Sequence, residues 1–216
     1  MTSIIKAGPI RWLFNQARQV FQRLTGGKTE RTVRPTDTIR DRFTNQALGG
    51  VGELAGSVAS GQIRTNAWVE GMRQEIRRSY ISQYLLGKGG VQNMTQADWG
   101  RLGGLLKNQY QYLNRFAGDL NAGTMSEAQI RQRAELYIQS SRQAYERGRV
   151  ASLGMPALPA YPGDGSTQCV TNCQCHWEHQ ETESEWLAYW TLGAAEHCPD
   201  CVARSKDWNP YRMSKG

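Results

Sequence analysis

Apolar residues recur at steps of three and four along most of the first 150 positions of this chain. Over 9–24, Ile10, Leu13, Phe14, Ala17, Val20, Phe21 and Leu24 share one helical face, with Arg11, Arg18 and Arg23 elsewhere on the surface. Pro9 suits a first helical position, and Gly26-Gly27 ends the pattern. From Asp37 to about Gly61 a helical pattern is diluted by Gly49, Gly50, Gly52 and Gly56, so either the helix breaks or backbones approach closely. Asn66 is placed to cap a helix bearing Trp68, Met72, Ile76, Tyr80 and Tyr84, stopped by "GKGG" at 87–90. "TQAD" (95–98) reads as a variant capping box before Trp99, Leu102, Leu105, Leu106, Leu113, Phe116 and Leu120, a helix of about 25 residues. "SEAQ" (126–129) opens another, with Ile130, Ala134, Tyr137, Ile138 and Tyr145 on one face and Gly148 at its end. These segments predict a bundle of three or four antiparallel helices joined by short loops.

The rhythm then changes. "SLGMPALPAYPGDGSTQ" (152–168) is a Pro/Gly-punctuated connector without periodicity. "CHWEHQ" (175–180) and "EWLAYWTL" (185–192) alternate in strand fashion around the turn "ETES", predicting a β-hairpin. Trp186, Ala188, Trp190 and Leu192 fall on one face of the second strand. The aromatic residues of both regions are expected in cores, Trp177, Trp186, Trp190 and Trp208 packing the hairpin. After it comes "HCPDC", whose Asp200 and Cys201 open a short helix, "CVARSKDW".

Charge divides the chain further. Residues 1–40 have a net charge of +6, residues 41–160 of +5, and residues 161–216 of −4. The tryptophan-rich tail thus has the wrong sign for embracing phosphates, whereas the helix of the basic arm is expected to pack on its own domain or, failing that, to dock on a protein partner, a membrane surface or nucleic acid. No apolar run reaches the ~18 residues of a membrane span, and no signal-peptide h-region is read at the N-terminus. A reducing cytoplasm is therefore expected, where clustered cysteines hold metal more often than disulfides. The chain shows no paired carboxylates at catalytic spacing, no phosphate-cradling glycine loop and no Ser–His–Asp set, so no enzyme activity and no small-molecule substrate are expected.

All five cysteines lie in the last quarter: Cys169, Cys173, Cys175, Cys198 and Cys201. Their odd number argues against a fully paired disulfide framework. A Cys-x-x-Cys turn brings two sulfurs to one tetrahedral ion, and the first loop supplies two more from the far side of the hairpin. The expected ligands are Cys169, Cys173, Cys198 and Cys201, with Cys175 the substitute for Cys169 or Cys173. Four thiolates leave no open position, so the zinc ion is expected to fold a core-poor segment rather than catalyse. His197 beside Cys198 makes a poor nucleophile–base pair, because adjacent side chains rarely point at one atom. The expected fold is mainly α: an antiparallel helical bundle with a small C-terminal zinc-stapled β-hairpin module of treble-clef-like layout. The segments are an arm and linker at 1–34, the bundle at 35–150, a connector at 151–168 and the Cys-rich module at 169–216.

Three stretches carry a family resemblance: "QYQYLNRFAGDL" (109–120), "SEAQIRQRAELYIQSSRQAYERGR" (126–149) and "PAYPGDGSTQCVTNCQCHW…EHCPDC" (159–201). Together they resemble the minor head proteins of tailed bacteriophages, the Mu F-like head-morphogenesis family, over about residues 64–201. The most specific piece is the Gly-Asp-Gly connector, the C-x3-C-x-C-x-W cluster and the terminal C-x-x-C. The resemblance implies a non-enzymatic virion component, made in the host cytoplasm, whose partners are the portal or major capsid protein. Docking of the basic arm there, or on packaged DNA, is the extension to a chain shorter than many relatives. The alternative is a nucleic-acid-binding protein or small ββα-metal nuclease, for which His176, His179 and Asn209 are the available residues, at poor spacing.

Overall fold

The computed structural model describes residues 35–193 and 196–215, with side chains from Thr38 onward. The amphipathic arm expected at 9–24 lies outside the described residues. Five helices form the bundle: α1 (Pro35–Ala59), α2 (Thr65–Lys88), α3 (Gln96–Asn121), α4 (Glu127–Gln139) and α5 (Arg142–Ser152), with a 3-10 turn at Val91–Asn93. The C-terminal module contains β1 (His176–Glu181), β2 (Glu185–Thr191), α6 (Pro199–Asp207) and β3 (Tyr211–Ser214).

The helix α1 runs unbroken through its glycines. Gly50, Gly52 and Gly56 leave room for the side chains of Glu75, Arg131 and Glu127, so neither expected consequence of those glycines, a break or a backbone contact, occurs. The close backbone approach lies elsewhere. A Cβ on Gly87 would collide with the carbonyl of Tyr145, and one on Gly148 with that of Tyr84, because α2 and α5 cross in backbone contact. Gly148 is therefore an interior position of α5 rather than its end.

Capping follows the sequence at two of three helices. Thr95 and Asp98 form a reciprocal capping box at α3, and Ser126 and Gln129 form one at α4. Asn66 does not cap α2. The N-cap is Arg64, whose carbonyl accepts from the Trp68 N–H at 3.0 Å, leaving Asn66 inside the first turn. The single helix expected over 126–149 is two, divided at Ser140 and Ser141. Their hydroxyls donate back to Tyr137 O (2.9 Å) and Ile138 O (2.6 Å), which competes with the helical ladder. The same hydroxyls meet Tyr80 Oη (2.7 Å) and Ser79 Oγ (2.8 Å) from α2. The break is thus a polar node satisfied across the core.

The predicted apolar faces converge. Trp68, Met72, Ile76, Tyr80 and Tyr84 of α2 are fully buried with Leu113 and Phe116 of α3 and Ala134 and Ile138 of α4. Trp68 meets Phe116 edge-on with ring centroids 4.9 Å apart. One end of this core is closed by a buried carboxylate. Asp98 accepts from Tyr84 Oη (2.8 Å), Thr95 N (2.9 Å), Thr95 Oγ1 (2.7 Å) and Arg101 Nη1 (2.9 Å), with Lys88 Nζ at 3.2 Å. Burial raises its pKa, but these hydrogen bonds outweigh that and hold the carboxyl below the usual range. Lys88 also donates to Ala151 O at 2.8 Å, so this network fixes where α5 ends.

The module is a three-stranded antiparallel sheet in the order β1-β2-β3, in which Trp177 pairs with Trp190 and Trp186 with Met213. Its core is a tryptophan cluster: Trp177, Trp190 and Trp208 lie with centroids 5.1 Å, 5.4 Å and 5.8 Å apart. The connector is not a loose linker. Met155, Leu158, Ala160 and Tyr161 are buried, and Ala160 O accepts the Trp177 indole N–H at 2.9 Å. Val150 of α5 belongs to the module's core, while Arg142 donates to Gln174 O and Arg149 to Trp177 O, each at 3.2 Å. Bundle and module therefore share α5 as a wall.

Candidate metal centre

Two loops bring the cysteines together. Cys169, Cys173 and Cys175 lie on the irregular stretch before β1. Cys198 caps α6, Pro199 occupies its first turn, and Cys201 sits one turn in. The loops are tied directly, since Asp200 accepts from the Gln168 N–H at 2.8 Å and Arg204 donates to Ser166 O at 2.8 Å. Gly193, just past β2, abuts the Gln174 backbone so closely that a Cβ has no room. These supports were not singled out from sequence. The available signal was an acidic residue at the start of a helix that follows a cysteine.

The sulfur geometry is specific. Cys169 Sγ lies 3.8 Å from Cys201 Sγ and 3.6 Å from Cys198 Sγ, and Cys173 Sγ lies 3.6 Å from Cys201 Sγ. All five cysteines are unbridged. A disulfide needs ~2.05 Å between sulfurs. A tetrahedral ion with metal–sulfur bonds of ~2.3 Å sets its ligand sulfurs about 3.8 Å apart. The observed spacings rule out the first figure and are compatible with the second. Cys169, Cys173 and Cys201 form one group within 4.8 Å of one another, and Cys175 and Cys198 adjoin it. Three of the four favoured ligands are thus grouped, and both remaining thiols stand at the edge of that group.

Burial and polarity suit a cation. Cys173, Cys175 and Cys201 are buried, whereas Cys169 and Cys198 are partly accessible. The Cys173 side chain hydrogen-bonds Cys175 and pulls its pKa down to about 5, against burial and with help from the Gly193 backbone and Cys201. Cys173 is pushed up by that same bond and by burial. At Cys198 burial works upward, but backbone N–H groups of Cys201 and Cys169 outweigh it and lower the pKa. Cys201 is raised by burial and by its bonds to Cys198 and Cys175. The cluster therefore gathers sulfur donors in one space, with Cys175 and Cys198 drawn toward the thiolate and Cys173 and Cys201 held as thiols, which is a donor set for a soft or borderline divalent ion. Such an ion displaces the remaining protons on binding.

The residues considered for nuclease chemistry are dispersed. His176 and His179 lie on opposite faces of β1, His176 beside Glu178 (3.5 Å) and His179 on the Trp177 face. Asn209 precedes Pro210 between α6 and β3. The module's tryptophans are largely interior, as expected for hairpin core: Trp177 and Trp190 are buried, and Arg204 covers both Trp190 and Trp208 at about 5 Å.

No helix among the described residues is long and apolar enough to cross a membrane. No family model, curated protein or solved structure matches the chain.

Proposed function

We propose that this chain is a non-enzymatic structural or assembly protein of a tailed-phage head, a minor capsid or head-morphogenesis protein, with one structural zinc ion in its C-terminal module. The observation that carries the metal reading is the 3.6–3.8 Å sulfur spacing across two sequence-distant loops. A closed thiolate shell supplies folding free energy and no vacant coordination position. The order of cysteine loop, hairpin, Cys-x-x-Cys and helix supports a treble-clef-like description of the module. The head assignment rests on the motif resemblance over about residues 64–201.

In this reading the helices contact the portal or major capsid protein, and the basic arm contacts head protein or packaged DNA. A cleft of about 710 Å³ between α3, α5 and the connector supports such contacts. Arg101, Lys107 and Arg147 line it without any carboxylate, and Arg147 lies over the Tyr161 ring at 4.1 Å. That wall suits an acidic segment of a partner. The test is quantitative mass spectrometry of purified heads from a phage that encodes the chain. The protein is expected at fixed stoichiometry, and Lys107→Glu/Arg147→Glu is expected to lower its incorporation without changing its metal content. Heads that lack the wild-type protein contradict the assignment.

A further inference from the structure

We infer that the metal is held by a fixed three-sulfur face, Cys169, Cys173 and Cys201, and that Cys175 and Cys198 are interchangeable fourth ligands. This rests on the metal-binding reading above and assigns a role to the fifth thiol. Cys201 is the hub, 3.8 Å from Cys169 and 3.6 Å from Cys173. The two remaining thiols flank different edges of that face. Cys198 Sγ stands 3.6 Å from Cys169 Sγ, on the Cys169 side of the hub, whereas Cys175 interacts with Cys173 and Cys201 on the other side. Neither joins the set of three in which all sulfurs lie within 4.8 Å of one another. The two caps therefore adjoin the face on different sides of the hub.

They differ in surroundings. Cys175 is 2 % exposed, at the foot of β1, while Cys198 is partly accessible at the start of α6. Passing from one to the other would carry the ion across the three-sulfur face, with the incoming cysteine's loop drawing in toward it. The exchange is balanced: the incoming thiol loses a proton as its sulfur–metal bond forms, and the departing thiolate takes one up as its bond breaks. No oxidant or reductant enters. The consequence is a kinetically labile ion, with an inner resting position on Cys175 and an outer one on Cys198 from which a competing soft ligand can take it.

Cobalt(II) titration of the full chain tests this, because thiolate-to-cobalt charge-transfer absorbance counts sulfur ligands. Wild type, Cys175→Ser and Cys198→Ser are each expected to bind one equivalent with a four-thiolate spectrum. Cys175→Ser/Cys198→Ser is expected to lose about a quarter of that absorbance, one thiolate in four. Zinc transfer to a chromophoric chelator is expected to be slower from Cys198→Ser, which keeps only the inner position, than from wild type, and at least as fast from Cys175→Ser, which keeps only the outer one. If one single variant alone drops by a quarter while the other matches wild type, the fourth ligand is dedicated and the inference fails, although the metal site stands. If wild type takes up no cobalt, the metal site itself falls. Cys175→Ala repeats the measurement without a buried hydroxyl, and tryptophan fluorescence verifies that each variant is folded.

Discussion

Replacing Asp98 with Ala tests how the bundle positions its neighbour. The carboxylate is 1 % exposed and receives four hydrogen bonds, and its ion-pair partner Lys88 has a side chain only 10 % exposed. Removing it strands a nearly buried ammonium and the buried Tyr84 hydroxyl. Breaking one side of a buried pair costs about 3–5 kcal/mol. Losing the reach-back to Thr95 N adds roughly 1 kcal/mol through the capping box. At ~2–4 °C per kcal/mol for a chain of this size, the melting temperature drops by roughly 8–24 °C, read by far-UV circular dichroism. Lys88→Met in the Asp98→Ala background is expected to recover part of that loss, since no charge is then left buried alone. The same network sets a pH dependence. Because the folded pKa of Asp98 lies below its unfolded value of ~3.9, its stabilisation is fully present above that value and disappears as pH falls toward the folded pKa. Wild type should therefore lose stability more steeply than Asp98→Ala below about pH 4. An Asp98→Ala variant within about 1 kcal/mol of wild type would refute the reasoning.

Other substitutions have opposed signs that packing alone decides. Gly148→Ala gains ~1 kcal/mol of helix propensity yet should destabilise, because its Cβ meets the backbone of α2, whereas Gly103→Ala, with nothing within 4 Å, should stabilise by about 0.5–1 kcal/mol in urea denaturation. Trp177→Ala removes the fully buried centre of the tryptophan cluster and should cost about 3–5 kcal/mol, with loss of near-UV circular dichroism. Excess chelator should abolish the same near-UV signal while leaving most helical ellipticity, since the bundle has its own core.

Much of this architecture was legible because the bundle's helices obey a strict period. The stripe Trp68–Met72–Ile76–Tyr80–Tyr84 is buried along its whole length, and the boxes at Thr95 and Ser126 form as their residue types demand. What escaped depends on partners distant in sequence. Gly87 reads as part of a stop signal, and only the crossing of α5 reveals its packing role. Ser140 and Ser141 are ordinary helix residues until Ser79 and Tyr80 meet them. β3 is four residues long and follows a proline, too short for its alternation to register without β2 beside it. At the cysteine cluster, the Cys-x-x-Cys turn and the cysteine loop were readable as a pair. The placement of Cys175 and Cys198 on either side of Cys201 depends on how Gly193 and Asp200 seat the two loops, which spacing alone does not encode.

The most direct test of the account is metal content and sulfur coordination in the purified full-length chain. Elemental analysis with X-ray absorption is expected to find one zinc per chain, surrounded by four sulfurs at ~2.3 Å. A chain free of zinc, with all five thiols reacting at once with a thiol reagent under native conditions, would contradict it.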